Sequence, residues 1–190
     1  MDKHEKKIPI YPTRSKWNLT YHSHNNPLWR ECDYVHRCYV SSFKDFWNLY
    51  NNSKHVGDFK DNDYFLMRDG IAPTWENKMN KNGVIVSIQI PDPIIMTTWT
   101  ILSALIVGES FCPKNYLING ISIKYIRENK KNKKLSNVPF ALVKIWIRTA
   151  DRDVNTTIRN FFRIVLPKYV DPAYAKHDFS IQVSNIKAEY

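Results

Sequence analysis

The sequence predicts an α+β domain in which helices pack on one face of a curved antiparallel sheet, and three observations carry that expectation. Residues 84–90, 120–126 and 140–149 alternate apolar and polar side chains with the period of half-buried strands. Stretches opening at Ser42, Asp92 and Asp151 repeat apolar residues at helical spacing instead. No Gly/Ser-rich linker and no internal repeat divides the 190 residues, a length that one domain with a substantial core accommodates. Helices that can all cover one side of a sheet leave its other side free to hold a ligand.

The elements are justified in chain order. Residues 1–10, "MDKHEKKIPI", are charged and without periodicity, which predicts a mobile arm ahead of a single domain over residues 11–190. In "SFKDFWNLYNN", Ser42 is followed three residues later by Asp45, an acidic variant of the capping box, and then by Phe46, Trp47 and Tyr50, so a short helix is expected. "GVIVSIQI" is the first strand recognised by its alternation. "DPIIMTTWTILSALIVG" has Asp92 as its expected cap, Pro93 at the first helical position, apolar groups at Ile95, Trp99, Leu102 and Ile106, and a stop at Gly108. "GISIKYI" and "FALVKIWIRT" read as two more strands joined by a long basic loop from Glu128 to Pro139. In the second of these, Lys144, Trp146 and Arg148 share one face while Val143, Ile145 and Ile147 share the other. The last predicted helix, "DRDVNTTIRNFFRIVLP", carries Val154, Ile158, Phe161 and Val165 at helical spacing and should end before Pro167.

Charge points to the class of partner. A formal net charge of +10 favours an anionic ligand or surface, and the six Trp and eleven Tyr interleaved with Lys and Arg favour a nucleotide or single-stranded nucleic acid among these. Three cysteines, an odd number, behind an N-terminus with no apolar signal core predict a reducing, cytoplasmic setting. The longest apolar run, Trp99 to Val107, is too short and too rich in Ser and Thr to span a bilayer, so no membrane partner is expected.

The tryptophans divide by context. Trp17, Trp47 and Trp99 have apolar neighbours at structural spacing and read as core or interface, whereas Trp29 in "NNPLWREC" and Trp75 in "APTWEN" follow polar turn residues. A loop tryptophan can simply cap a core, but two of them, the second followed by Glu76, suggest a clamp on a flat base. Stacking contributes ~1–3 kcal/mol per aromatic face, and micromolar affinity needs about 8 kcal/mol. Two faces alone therefore fall short. A positively charged base adds a cation–π contribution of up to about 2 kcal/mol when desolvated, and a carboxylate accepting two N–H groups from the base edge adds charge-assisted hydrogen bonds. Guanine methylated at N7 has this character, and Glu76 stands where it could accept. Arg127, Lys130, Lys131, Lys133 and Lys134 form a basic cluster that in isolation reads first as a solvated loop but beside a base clamp could hold a phosphate chain.

Metal and nucleophile chemistry find less support. "CDYVHRC" offers Cys32, His36 and Cys38, but their spacing matches no zinc pattern, and one strand pointing all three at an ordinary core is the simpler expectation. There is no Walker loop, no dinucleotide glycine fingerprint, no His-Glu-x-x-His and no nucleophile elbow. A binding protein without cofactor or metal is expected, not an enzyme.

These residues resemble one family, the cap-binding proteins of eukaryotic translation initiation factor 4E. The likeness rests on "DFWNLYNN", "FLMRDGIAPTWENKMNKNG" and "LIVGESF", more weakly on "KIWIRT" and "YAKHD", in order across residues 11 to 180. The resemblance implies a sheet curved like a cupped hand, with the 7-methylguanosine 5′ cap of mRNA in its concave front. It makes Trp29 and Trp75 the stacking pair, Glu76 the guanine-edge acceptor, Trp146 a neighbour of the N7 methyl group and Arg127 a phosphate ligand. Lys130, Lys131, Lys133 and Lys134 lie in an insertion expected to overhang the phosphates and touch the first nucleotide.

On the convex back the resemblance implies a scaffold partner like factor 4G, bound through a helix bearing a Tyr-x-x-x-x-Leu-apolar motif. Trp47 matches the principal tryptophan of that surface, and Tyr11-Pro12 stands where His-Pro is usual. Phe43 replaces a smaller aliphatic residue and Ile101 a glutamate, so partner choice is expected to differ. A monomer that recruits capped mRNA for translation is the implied function. The alternative is a protein-interaction or repressor module that has kept the fold with weak or altered cap binding.

Overall fold

The computed structural model describes residues 11–52, 59–127, 139–168 and 181–186; the arm predicted over residues 1–10 lies outside them. Its frame is a seven-stranded antiparallel sheet. The strands are β1 (Pro12–Ser23), β2 (Val35–Ser42), β3 (Asn62–Arg68), β4 (Val84–Pro91), β5 (Ile118–Ile126), β6 (Phe140–Ile147) and β7 (Ile181–Asn185). They lie side by side in the order β2-β1-β3-β5-β6-β4-β7, and every pairing is antiparallel. Helices α1 (Phe43–Asn52), α2 (Ile95–Val107) and α3 (Arg152–Asn160) complete it.

The main core lies between helices and sheet. Trp17 and Leu19 of β1, Leu66 of β3, Val86 and Ile88 of β4, Ile121 and Ile123 of β5 and Val143 and Ile145 of β6 meet Phe46 of α1, Trp99, Leu102 and Ile106 of α2 and Ile158 of α3 in one buried cluster. Because successive strand residues alternate faces, the residues between these point to the opposite, concave side. There Phe65, Met67, Ile85, Trp146 and Ile186 form a second, smaller buried cluster, with Trp29, Tyr34 and Ile71 packed partly against it. Gly120 of β5 is needed on this side, since a Cβ there would collide with the Met67 sulfur and the Leu66 carbonyl oxygen. The concave face is thus paved with aromatic and aliphatic side chains at its centre.

The predicted α+β class with a curved antiparallel sheet and helices on its convex side is what the chain adopts. Several details differ from expectation. The Ser42 hydroxyl does accept from the Asp45 N–H at 3.1 Å, but Asp45 reaches back to the N–H and hydroxyl of Ser41, both at 3.0 Å, one residue earlier than a capping box would have it. Asp92 is not a cap. The chain leaves β4 in an extended conformation at Pro91 and enters a 3-10 turn at Asp92–Ile94, so Asp92 is already inside the turn that precedes α2. The last helix is regular only to Asn160, then widens into a π-turn over Phe161–Val165 and a 3-10 turn over Leu166–Lys168. Pro167 is accommodated there because the start of a short turn asks for no donor from it.

The "CDYVHRC" stretch is a further correction. Cys32 sits exposed in a 3-10 turn before β2. A bulge then places Leu19 opposite Cys38 but Thr20 opposite His36, so the extra residue turns Cys38 toward the core side and His36 toward the concave side. His36 is bonded through Nδ1 to the Asn18 amide oxygen at 2.7 Å. Among the described residues no group of three or more His, Cys, Asp or Glu is arranged to hold a metal ion, and no helix is long and apolar enough to cross a membrane.

Candidate functional site

The concave face carries a cleft of about 570 Å³, within the range of small-molecule sites. Its floor comes from the sheet: Phe65 of β3, Ile85 of β4, Ser122 and Lys124 of β5, and Lys144 and Trp146 of β6. Two loops supply its walls. One, between β1 and β2, contributes Trp29 and Arg30; the other, between β3 and β4, contributes Trp75 and Glu76. Four of the residues singled out from the sequence, Trp29, Trp75, Glu76 and Trp146, therefore line one cavity although they are far apart in the chain.

Trp146 is the fixed member. It is 7% exposed, and its indole N–H donates to the Ser122 hydroxyl at 2.9 Å, which sets the rotation of the ring against Phe65. Trp29 rests on a support that sequence reading missed. The buried His22 imidazole stacks on it at 3.8 Å between ring centroids and 10° between planes, and His22 Nε2 is 2.6 Å from the Leu28 carbonyl oxygen in the same loop. The loop is closed by Arg30, which forks onto Asp33 through Nε and Nη2 at 2.9 and 3.0 Å while its backbone N–H donates to the same carboxylate. The Arg30 hydrogen bond holds the Asp33 carboxyl well below the usual carboxylate range, against the opposing effect of desolvation.

Trp75 and Glu76 are exposed, Trp75 at 39%, at the mouth of the cleft. The Lys/Asn-rich stretch after them is held by one buried side chain. Asn80 donates through Nδ2 to the Ala72 and Thr74 carbonyl oxygens at 2.9 and 2.8 Å, and accepts from Asn119 Nδ2 at 2.9 Å. Asn119 also donates to the Met79 carbonyl oxygen at 2.6 Å. The Tyr34 hydroxyl donates to the Pro73 carbonyl oxygen at 3.1 Å, tying the Trp75 loop to the start of β2. The turn into this loop uses Gly70 at φ +78°, where a side chain would be strained. An aromatic can thus be displayed to solvent because the backbone beneath it is pinned.

Charge at the cleft differs from the sequence expectation. Arg127 does not line it. Its guanidinium donates to Asp61 Oδ1 at 2.8 Å and to the Lys60 carbonyl oxygen at 2.9 Å, in a pair with both side chains largely exposed. Lys130, Lys131, Lys133 and Lys134 lie outside the described residues. The cations on the cleft wall are Arg30, Lys124 and Lys144, and Asp63 adds a carboxylate beside Glu76. A lysine in mid-strand, as in "SIKYI" and "LVKIW", was the available signal for Lys124 and Lys144. For Asp63, only the sheet register tells that it faces inward.

The convex side presents the other group of residues. Tyr11 is 62%, Phe43 37% and Trp47 46% exposed. The Phe43 N–H donates to the Tyr11 carbonyl oxygen at 2.8 Å, joining the start of β1 to α1. Trp47 stands edge-on to buried Phe46 at 5.1 Å, one helical turn from Phe43. Pro12 is exposed beside Ser42, and Ile101 is half-buried on α2.

Comparison with known proteins is consistent throughout. The family model described as eukaryotic initiation factor 4E matches residues 12–189. Eukaryotic translation initiation factor 4E-3 of Caenorhabditis elegans is 30% identical over 155 residues, 75% of this chain and 56% of that protein. The eukaryotic translation initiation factor 4E homolog of Acanthamoeba polyphaga mimivirus is 34% identical over 71 residues, 36% of this chain and 26% of the relative. The matches thus span about half or less of these relatives' own length. Among solved structures, Ascaris suum eIF4E-3 in complex with an m7G cap superposes with a TM-score of 0.71 at 20% identity, covering 95% of this chain and 94% of that one. C. elegans eIF4E-3 in complex with the 4E-binding protein Mextli and a cap analog gives a TM-score of 0.70 at 24% identity, with 92% of each chain covered. At such identities the structural likeness speaks for the fold. The family match, by contrast, runs through every strand of the sheet and both loops that wall the cleft, and on it this chain belongs to the eukaryotic initiation factor 4E family.

Proposed function

We propose that this chain binds the 7-methylguanosine 5′ cap of mRNA in its concave cleft and recruits capped mRNA through a partner on its convex face. The observation that carries the reading is the convergence of Trp29, Trp75, Glu76 and Trp146 on one cavity of nucleotide size. Trp29 and Trp75 stack on the base, Glu76 accepts from the guanine edge, and Trp146 lies by the methyl group. No bond is made or broken, so the role is binding, not catalysis.

The phosphate chain is taken up by Arg127, just past the end of β5, with Lys130, Lys131, Lys133 and Lys134 of the basic insertion as further candidate ligands. The Arg127–Asp61 pair does not stand in the way, because an exposed pair of this kind is worth roughly 0–1 kcal/mol and yields to a phosphate. Relatives solved with a cap, with a 4E-binding protein or with both support the reading by analogy.

Methyl discrimination tests it. Titrating intrinsic tryptophan fluorescence with 7-methylguanosine triphosphate and with GTP should give affinities about thirtyfold or more apart, because the neutral base forgoes the cation–π contribution and meets Glu76 without a positive charge of its own. Equal affinities would leave a family member whose cleft serves something else.

For the convex face, a helical peptide with the Tyr-x-x-x-x-Leu-apolar motif is the proposed ligand, with Tyr11, Pro12, Phe43, Trp47 and Ile101 in or beside its footprint. Trp47→Ala should weaken that peptide by about tenfold or more, as truncation of an aromatic anchor does, while leaving cap affinity unchanged. Undiminished peptide binding would move the partner elsewhere.

A further inference from the structure

Lys124 and Trp29 line the same cleft and meet there. One face of the Trp29 indole is covered by His22, which is sealed from solvent and absent from the cleft wall. Lys124 is on that wall, and its ammonium nitrogen stands over the Trp29 ring, 5.2 Å from the centroid. A cation is therefore already held against the tryptophan on its cleft side, in the position where a positively charged base would stack.

The same ammonium is anchored from below. Residues Tyr64 and Ile123 are paired across β3 and β5, which brings Asp63 beside Lys124 on the concave face, and Lys124 Nζ lies 3.5 Å from Asp63 Oδ2. The Asp63 side chain is 3% exposed and has a second partner, His24, whose Nε2 is 2.7 Å from Oδ1. Asp63 would keep that hydrogen bond if the lysine left. A mobile four-carbon stem on a rigid strand, paired to a carboxylate that does not depend on it alone, is suited to moving between two positions.

We infer that Lys124 is an exchangeable placeholder: it rests on Trp29 in the free protein, is displaced when the cationic base stacks there, and then turns to the phosphate chain of the same ligand. The exchange replaces one cation by another over the indole, so the charge facing Trp29 is conserved, while the freed ammonium gains an anionic partner. Lys124 thereby couples occupation of the base site to recognition of the phosphates. It is a specificity-determining residue in favour of nucleotides over the bare nucleoside.

This inference rests on the cap-binding reading, and the test separates the two. Affinities for 7-methylguanosine and for 7-methylguanosine triphosphate are measured by calorimetry on the wild type, Lys124→Met and Lys124→Arg, with thermal melts to verify folding. In Lys124→Met the competitor over Trp29 is gone, so the nucleoside should bind about twofold to fivefold more tightly. The triphosphate loses a charged contact and should bind about tenfold more weakly. Lys124→Arg keeps the charge and should stay close to wild type. Opposite shifts for the two ligands support the exchange, and any other pattern in Lys124→Met overturns it. A wild type that does not prefer the methylated nucleotide to GTP removes the cap-binding reading itself, and this inference with it.

Discussion

Trp75→Ala is expected to lower affinity for 7-methylguanosine triphosphate by two to three orders of magnitude while leaving the fold in place. Stacking on one indole is worth ~1–3 kcal/mol, and the cation–π contribution of a charged base adds up to about 2 kcal/mol; together these correspond to roughly 10²–10³ in affinity. The fold is spared for a local reason. Trp75 is 39% exposed and outside both buried clusters, and the loop beneath it is held by Asn80, Asn119 and Tyr34 rather than by the ring. Glu76→Gln keeps the shape but removes the charge and turns one of the two acceptor oxygens into a donor facing the base edge, and should cost about tenfold or more. Trp29→Ala is a less clean probe, because it uncovers the buried imidazole of His22 as well. Calorimetric titration with a parallel thermal melt decides the matter: a Trp75→Ala protein that binds within about threefold of wild type would place the base elsewhere.

How much of this site could be read from the chain depends on whether a residue's role is local. Trp75 and Glu76 announce themselves because an aromatic and an acid follow a proline turn with no periodicity to bury them. Trp146 is legible because strand alternation puts it opposite Val143, Ile145 and Ile147, an alternation that the burial pattern follows from Phe140 to Ile145. The supporting residues are another matter. His22 belongs to a strand, β1, that the pattern analysis did not mark, and Asn80 reads as one more polar residue in a loop. Their work depends on long-range register: His22 pairs with Asp63 across β1 and β3, and Asn80 meets Asn119 at the start of β5. Arg127 illustrates the converse. A cation at a strand end next to a basic loop reads as a phosphate ligand, and only the tertiary structure adds that it rests on Asp61, a pair that leaves that role open. The fold class was legible for a simpler reason. Three alternating strands and three one-sided helices suffice to fix a layered arrangement, even with β1, β3 and β7 unassigned.

Arg68→Met should destabilise the protein by about 3 kcal/mol, the lower end of the cost of removing one partner from a buried ion pair because this pair is part-buried, and lower its melting temperature by roughly 6–12 °C. Arg68 ends β3 with its side chain 12% exposed and serves four acceptors. Nη1 donates to Glu109 Oε1 at 2.8 Å and to the Ser15 hydroxyl, Nε to the Ile118 carbonyl oxygen at 2.7 Å, and Nη2 to that of Asn115 at 3.0 Å. The guanidinium also lies over the buried Trp17 ring, 4.7 Å from its centroid. Glu109 is held at φ +53°, a backbone conformation that a non-glycine residue adopts only when its surroundings fix it, and Ser15 Oγ adds a 2.7 Å hydrogen bond to its carboxylate. Desolvation raises the Glu109 pKa, but the hydrogen bonds from Arg68 and Ser15 and the charge of Arg68 outweigh it and hold the carboxyl below its ordinary value. The pair's pH-dependent contribution is therefore fully present above about pH 4.3, the ordinary glutamate value, and is lost as pH falls through the lower folded value. Glu109→Gln should accordingly flatten the acid limb of the stability curve as well as lower its plateau. In the double variant Arg68→Met/Glu109→Gln the two losses should be less than additive, since neither part-buried charge is then left without its partner. Chemical denaturation of the four proteins from pH 3 to 7 measures this directly, and additive losses with an unchanged acid limb would show that Arg68 stabilises the molecule through its backbone acceptors and Trp17 alone.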